Sequence, residues 1–246
     1  MNPSSPLSAA GDLTSRCHAV DWSYIRRELD TQGSAVFPGI LTRDECEAMA
    51  SLYNQGERFR KRVVMARHGF GRGEYQYFHY PLPEVTQTLR TQLYPGLAAI
   101  ANIWQDKLGL TARYPLDHAE FLLRCREAGQ QKATPLLLQY QSGDHCCLHQ
   151  DLYGEQVFPL QVVILLSEPG RDFEGGEFML TEQRSQMAAR AEVVPLRQGD
   201  AVVFAVNQRP VKSTRGYARV AMRHGVSRLH RGVRHTAGII FHDAQS

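Results

Sequence analysis

Hydrophobic and polar positions follow two different periods along the 246 residues, and the change falls near Pro135. Before it, apolar residues recur mainly at helical spacing. One such stretch opens at Asp21 ("DWSYIRRELDTQG"), closes at Gly33 and leads into the short strand-like run "SAVF". In "LTRDECEAMASLYN", Thr42 stands three residues before Glu45, the capping-box spacing ahead of an amphipathic helix. Helical spacing returns from Pro83 to Leu108, with a break expected near Pro95 because proline offers no N–H to the helix. "DHAEFLLRCREAG" predicts a further short helix stopping at Gly129.

Beyond Pro135 the runs shorten and become rich in β-branched and aromatic residues. "PLLLQY", "VFPLQVVILLS", "GGEFMLTE", "AEVVPL", "DAVVFAV", "YARVAM" and "RHTAGIIFHD" read as strands punctuated by Gly and Pro. Seven or eight short strands without intervening helices predict a β-sandwich or jelly roll, mainly β with flanking helices, rather than a parallel α/β sheet. The expected organisation is a mobile polar tail over 1–20 and a single domain over 21–246. Within it, a helical support covers about 21–130 and a β core about 135–243.

Composition narrows the setting more than the chemistry. With 43% hydrophobic and 22% charged residues the chain reads as soluble and globular, and no apolar run approaches the roughly 20 residues that span a bilayer. The first residues lack a hydrophobic signal core. Five cysteines, an odd number, argue against a disulfide framework, so a cytoplasmic location is expected. The net charge of +3 hides two uneven runs. Arg58 to Arg72 and Arg209 to Arg234 hold many of the basic side chains and no acid. They read as two solvated faces, or as one surface for an anionic substrate if they converge.

Candidate chemistry centres on "LHQDLYGE", in which His149 and Asp151 stand two residues apart and would share one face of a strand. Such a pair needs a third ligand, since one class of iron site uses two histidines and a carboxylate. His224, His230, His235 and His242 are the downstream candidates, and His224 ends a strand-like segment, a rigid place from which to aim a ligand. Farther on, Arg234 and Thr236 share a face of the last long strand. A buried guanidinium beside a hydroxyl suits a ligand carboxylate. "HCCLH", from His145 to His149, raises a zinc alternative, but adjacent cysteines do not reproduce the usual spacing. His18 and His118 read as ordinary surface or helix histidines, and Trp22 and Trp104 as packing residues. No serine-hydrolase or zincin motif occurs.

Taken in order, these pieces resemble the Fe(II)/2-oxoglutarate-dependent dioxygenases. Tyr140, Gly143, His149 and Asp151 match the Y-x2-G-x5-H-x-D pattern of the prolyl-hydroxylase-like branch. "FEGGE" from Phe173, "LRQGDAVVF", His224, Gly232 and Arg234 follow in the family's order, over about residues 135–243. The whole chain, through "GFGRGEYQYF", "LHQDLYGE", "DFEGGEFMLTEQRS" and "MRHGVSRLHRGVRHTAGIIFHDA", is similar to a prokaryotic family proposed to act in oxidative demethylation of damaged DNA. The resemblance implies a double-stranded β-helix (jelly roll) core with an N-terminal helical layer. It also implies iron held by His149, Asp151 and His224, and 2-oxoglutarate and O2 as cosubstrates. Arg234 would anchor the far carboxylate of 2-oxoglutarate, helped by Thr236 and Tyr140.

For the primary substrate, "VVMARHGFGRGEYQYFHYP" interleaves Arg67, His68 and Arg72 with Phe70, Tyr75, Tyr77 and Phe78. Bases and aromatics so mixed suit phosphates and an unstacked base of DNA or RNA. The other reading of the segment is a lid or packing element with core aromatics. Alkylated nucleic acid is the leading substrate, with a protein side chain or small metabolite as the enzymatic alternative. A cupin-like metal or ligand-binding protein without turnover is the remaining one.

Overall fold

The computed structural model describes residues 11–152, 154–184 and 187–245. Residues 1–10 of the expected tail, with Tyr153 of "LHQDLYGE" and Ser185 of "DFEGGEFMLTEQRS", lie outside them. Five α-helices are described: α1 Leu13–His18, α2 Trp22–Gln32, α3 Arg43–Ser51, α4 Glu84–Lys107 and α5 His118–Glu127. The strands of the first half are β1 Ser34–Phe37, β2 Phe59–Val64, β3 Gly71–Arg72 and β4 Glu74–Phe78. Those of the second half are β5 Leu136–Gln141, β6 His145–His149, β7 Leu160–Leu165, β8 Phe173–Gly175, β9 Phe178–Gln183, β10 Arg190–Val194, β11 Ala201–Ala205, β12 Gln208–Ser213, β13 Gly216–Val226 and β14 Leu229–Ile239.

The strands form two antiparallel sheets. The larger runs β1-β11-β7-β14-β5-β4-β2, with β8 beside β14. The smaller runs β10-β9-β13-β6-β3, with β12 beside β13. Faced together they make a jelly roll, and the alternation of strand side chains explains why. On β7, Leu160, Val162 and Ile164 join the helices in one core, whereas Val163 and Leu165 enter the clusters between the sheets. β11 divides likewise, with Ala201, Val203 and Ala205 outward and Val202 and Phe204 inward. Strands buried on both faces read as unbroken apolar runs, and that is how these two appear in the sequence.

The helices cover the outer face of the larger sheet through Leu29, Leu89, Leu93, Leu97 and Trp104. Asp21 caps α2 and Gly33 ends it in the left-handed region, and the Thr42–Glu45 capping box forms. Helix α4 runs through Pro95 without the expected break. One lost hydrogen bond is outweighed there, because Leu93, Tyr94, Leu97 and Ala98 around it are fully buried. The expected tail begins to fold earlier than residue 21. α1 packs on α4, buries Leu13 and Cys17, and sends Arg16 to the Ile40 carbonyl (2.9 Å) and to Glu45 (2.5 Å). His118, expected as an ordinary helix or surface residue, is buried and hydrogen-bonded to the Phe241 carbonyl at 2.8 Å.

The largest departure lies between residues 59 and 78, which hold strands where helix was expected to dominate. β2 and β4 extend the larger sheet next to β5, while β3 pairs with β6 of the smaller one. The segment is therefore a strap joining the two sheets along one open side. Gly73 (φ 121°) lies against the Tyr140 ring, where a Cβ would stand 2.8 Å from Cδ1. Only glycine lets the strap approach that closely.

Candidate metal centre and its cavity

β6 and β13 are neighbours, and His149 lies directly opposite His224, with ring centroids 4.2 Å apart. The strand ends at His149, so Asp151 reaches the same centre from the segment beyond it rather than by strand alternation. Its Oδ1 is 3.4 Å from His149 Nε2 and its Oδ2 is 3.4 Å from His224 Nε2. The three ligand atoms lie within 4.8 Å of one another. His149 Nδ1 donates to the Cys147 carbonyl at 2.8 Å, which turns Nε2 toward the centre. Phe204, with its ring centroid 4.6 Å from that of His224, and Phe178 wall the cluster.

The electrostatics follow from three titratable groups sharing a buried space. Burial works against the Asp151 charge, yet hydrogen bonds from His149 and His224 hold the carboxyl well below the usual range. Burial likewise opposes charge on His149, but the Asp151 contact pushes it up to about 11. Burial keeps His224 low, hence neutral.

Across the cavity, on β14 and β5 of the larger sheet, Arg234 lies directly opposite Tyr140 and Thr236 opposite Leu138. All three named polar residues are almost fully buried. The Arg234 guanidinium stands 5.6 Å from the Tyr140 ring centroid and 5.8 Å from that of Phe173. Its Nε and Nη1 have no hydrogen-bond partner among the described residues. Burial lowers the Arg234 pKa to about 10, still cationic at neutral pH. A buried guanidinium with N–H groups left without hydrogen bonds is costly, and a carboxylate arriving there would relieve it. Gly176, held at φ 65°, leaves room beside the arginine, since its Cβ would stand 3.1 Å from Arg234 Cδ.

The other candidate ligands fall elsewhere. His230 is exposed, His235 meets Gln139 at 2.9 Å on the opposite side of its strand, and His242 accepts from the Phe158 N–H at 3.2 Å. The zinc alternative loses its geometry, because Cys146 is buried in the cavity wall while Cys147 is exposed. All five cysteines are free.

Between the metal cluster and Arg234 lies a cavity of about 170 Å³, lined by Met65, Phe70, Tyr75, Tyr77, Leu136, Leu138, Val163 and Ile240 among others. Of the residues expected to meet substrate, Tyr75 and Tyr77 line it, with rings 5.4 Å apart and perpendicular. His68 stacks on Phe70 at 5.8 Å but does not itself line this cavity. Arg67 and Arg72 are exposed, line none of the cavities described, and Arg72 faces Asp144 at 3.7 Å. Phe78 belongs to the core against Phe59.

Sequence reasoning missed Gln161, a buried polar side chain on β7 that lines the cavity with its Oε1 unpartnered. The signal available was a lone polar residue inside the apolar run "LQVVIL". The second basic run does not present all its charges to a ligand. Arg209 is buried against Glu182, with its Nε at 3.0 Å, and Arg231 pairs with Glu174 at 2.5 Å. Of the lysines and arginines of that run, Arg234 alone lines the metal cavity.

Comparison with known proteins places this arrangement in a family. The fold is similar to that of a prolyl-4-hydroxylase from Pseudomonas putida, with TM-score 0.52 at 15% identity over 92% of this chain and 100% of the other. An oxidoreductase of the 2OG-Fe(II) oxygenase family from Burkholderia pseudomallei matches with TM-score 0.51 at 14% identity, over 96% of this chain and 95% of that one. A Mycobacterium tuberculosis protein (strain H37Rv), described only as uncharacterized, is 47% identical over 167 residues, 68% of this chain and 72% of its own length. Residues 73–244 match a family described as "oxygenase, catalysing oxidative methylation of damaged DNA". That span takes in Tyr140, the His149–Asp151–His224 cluster and Arg234, and the chain belongs to this oxygenase family.

Proposed function

We propose that the protein is an Fe(II)- and 2-oxoglutarate-dependent dioxygenase that removes N-methyl groups from alkylated nucleic-acid bases by hydroxylating them. The observation that carries the cofactor reading is the pairing across one cavity of a His149–Asp151–His224 cluster with a buried Arg234 whose Nε and Nη1 lack partners. Two imidazoles and a carboxylate on one side of an ion suit Fe(II) and leave positions for other ligands. The donor set and the orphaned guanidinium thus fit the metal and a dicarboxylate together. Bound there with O2, iron and 2-oxoglutarate supply the oxidising power that converts a C–H bond to an alcohol while the cosubstrate leaves as succinate and CO2.

The chain's own residues do the positioning. His149, Asp151 and His224 hold the metal, and Arg234 binds the far carboxylate of 2-oxoglutarate through two N–H groups. Thr236 and Tyr140, almost fully buried on neighbouring strands, offer hydroxyls to the same molecule. Leu138, Val163 and Ile240 exclude water from the space between. Tyr75 and Tyr77, with perpendicular rings, meet a planar substrate with the face of one and the edge of the other. On an N-methyl group the product alcohol is a hemiaminal, which loses formaldehyde without further help. The family description, which concerns damaged DNA, supports this substrate over a protein side chain or metabolite. Among the described residues no helix is long and apolar enough to cross a membrane, and five free cysteines accord with a cytoplasmic location.

Calorimetry tests the cofactor assignment. His224→Ala should abolish Fe(II) binding, whereas His230→Ala should bind Fe(II) and then 2-oxoglutarate as the parent does. Loss of iron in the His230 variant and retention in the His224 variant would reassign the ligand.

A further inference from the structure

A second cavity, of about 300 Å³, opens beside the first and shares Phe70, Tyr75 and Tyr77 with it as a common wall. Its remaining lining includes Arg60, Lys61, His68 and Lys132, and no carboxylate among the described residues lines it. Arg60 is fixed by its Nε donating to the Ala133 carbonyl at 2.8 Å and by its guanidinium lying 4.7 Å from the Tyr77 ring centroid. Lys61 and Lys132 are exposed. Nearby acids are already engaged, Glu74 by Arg62 at 2.5 Å and Asp243 by Arg90 at 2.7 Å. Asp243 still acts on Arg60 across space, but Lys61 and Lys132 have no ion pair among the described residues and keep their positive charge for something outside the protein.

We infer that this groove binds the sugar–phosphate backbone of a single-stranded polynucleotide beside the base being oxidised. The inference rests on the nucleic-acid reading above and adds where the strand lies. Tyr75 and Tyr77 face both spaces, so a base stacked on that wall enters the metal cavity while its neighbouring phosphates remain among Arg60, Lys61 and Lys132. The metal cavity is too small for a base pair, so the target base must leave its stack, which costs least in a single strand. A phosphate chain in a basic groove with stacking aromatics along it is the general design for single-strand binding. An acidic peptide is the rival occupant, and it has no use for perpendicular aromatic faces at the cavity mouth.

Fluorescence anisotropy with the Fe(II)-loaded full chain and a labelled single-stranded oligonucleotide tests this across salt concentrations. The double variant Lys61→Gln/Lys132→Gln should weaken binding at least tenfold at low salt. It should also flatten the slope of log K against log salt by about 1.4, since each phosphate contact to a single strand contributes ~0.7. Arg219→Gln, an exposed position on β13 outside both cavities, should change neither, and an unchanged melting temperature in all variants shows that folding is intact. No oligonucleotide binding by the parent, an unaltered slope in the double variant, or displacement of the oligonucleotide by an acidic peptide at equal concentration would overturn the groove. If the double variant binds as the parent does while methylated oligonucleotide is still demethylated, the groove fails and the proposed reaction stands. If binding depends on Lys61 and Lys132 but no formaldehyde is released, the groove stands and the reaction fails.

Discussion

At the scale of single residues, the groups proposed to hold cofactors and the one proposed to meet a substrate differ in how visible they were in the sequence. His149, Asp151, His224, Tyr140 and Arg234 were legible in the sequence because each belongs to an ordered motif with fixed spacing. Gln161 was not, since strand β7 is buried on both faces and a single polar letter within it carries no motif. Its unpartnered Oε1 faces a cavity whose walls are mostly apolar. A buried acceptor without a donor destabilises a protein and is kept where a ligand supplies the missing bond. Gln161→Leu should therefore stabilise the chain by about 1 kcal/mol, a rise of roughly 2–4 °C in melting temperature. The same change should lower kcat/KM for a substrate bearing an N–H donor about tenfold. A less stable variant with unchanged kinetics would show that Gln161 serves the fold alone.

At the scale of elements, the strap of residues 59–78 was the part least visible in advance. Its strands are short, one has only two residues, and basic side chains along the outer edge mask the alternation that marks a strand. Edge strands commonly carry such charges. Once seen, the strap explains why Gly73 stands where it does, pressed on the Tyr140 ring at a φ of 121°. Gly73→Ala adds backbone strain on the order of 1–3 kcal/mol and displaces the Tyr140 ring. It should weaken 2-oxoglutarate binding about tenfold while leaving Fe(II) affinity unchanged, because the added Cβ meets Tyr140 and the Gln139 carbonyl and not the His149–Asp151–His224 cluster. Titrating the two ligands separately distinguishes this from general unfolding, in which both affinities fall together. The helix boundaries, by contrast, were readable, because the Thr42–Glu45 box and the Gly33 cap are local signals that tertiary structure did not override. Pro95 shows the opposite case, where packing of a buried helix prevailed over a local breaker.

At the scale of the whole molecule, the jelly roll with a helical layer was legible from the change of period near Pro135. The distribution of charge was not, since ion pairs consume Arg209 and Arg231 and burial consumes Arg234. Stability should also carry the mark of buried histidines. Burial and the neighbouring Arg90 lower both His118 and His242 to about 4. These imidazoles stay neutral in the fold but protonate in the unfolded chain below its value of 6.5, so the unfolded state binds more protons in that window. Stability should accordingly fall between pH 6.5 and about 4, by on the order of 3 kcal/mol for each histidine. His118→Gln, which retains a donor for the Phe241 carbonyl but cannot titrate, should flatten the decline seen in urea melts, and an equally steep decline would locate its origin elsewhere. The central claim joins fold, metal cluster and substrate in one reaction, and its most direct measurement is product stoichiometry on an N-methylated single-stranded oligonucleotide with Fe(II), 2-oxoglutarate and O2. The account predicts formaldehyde released in step with succinate, one for one, and neither product from the His224→Ala variant. Succinate formed without formaldehyde on the oligonucleotide, alongside hydroxylation of a peptide or metabolite, would contradict it.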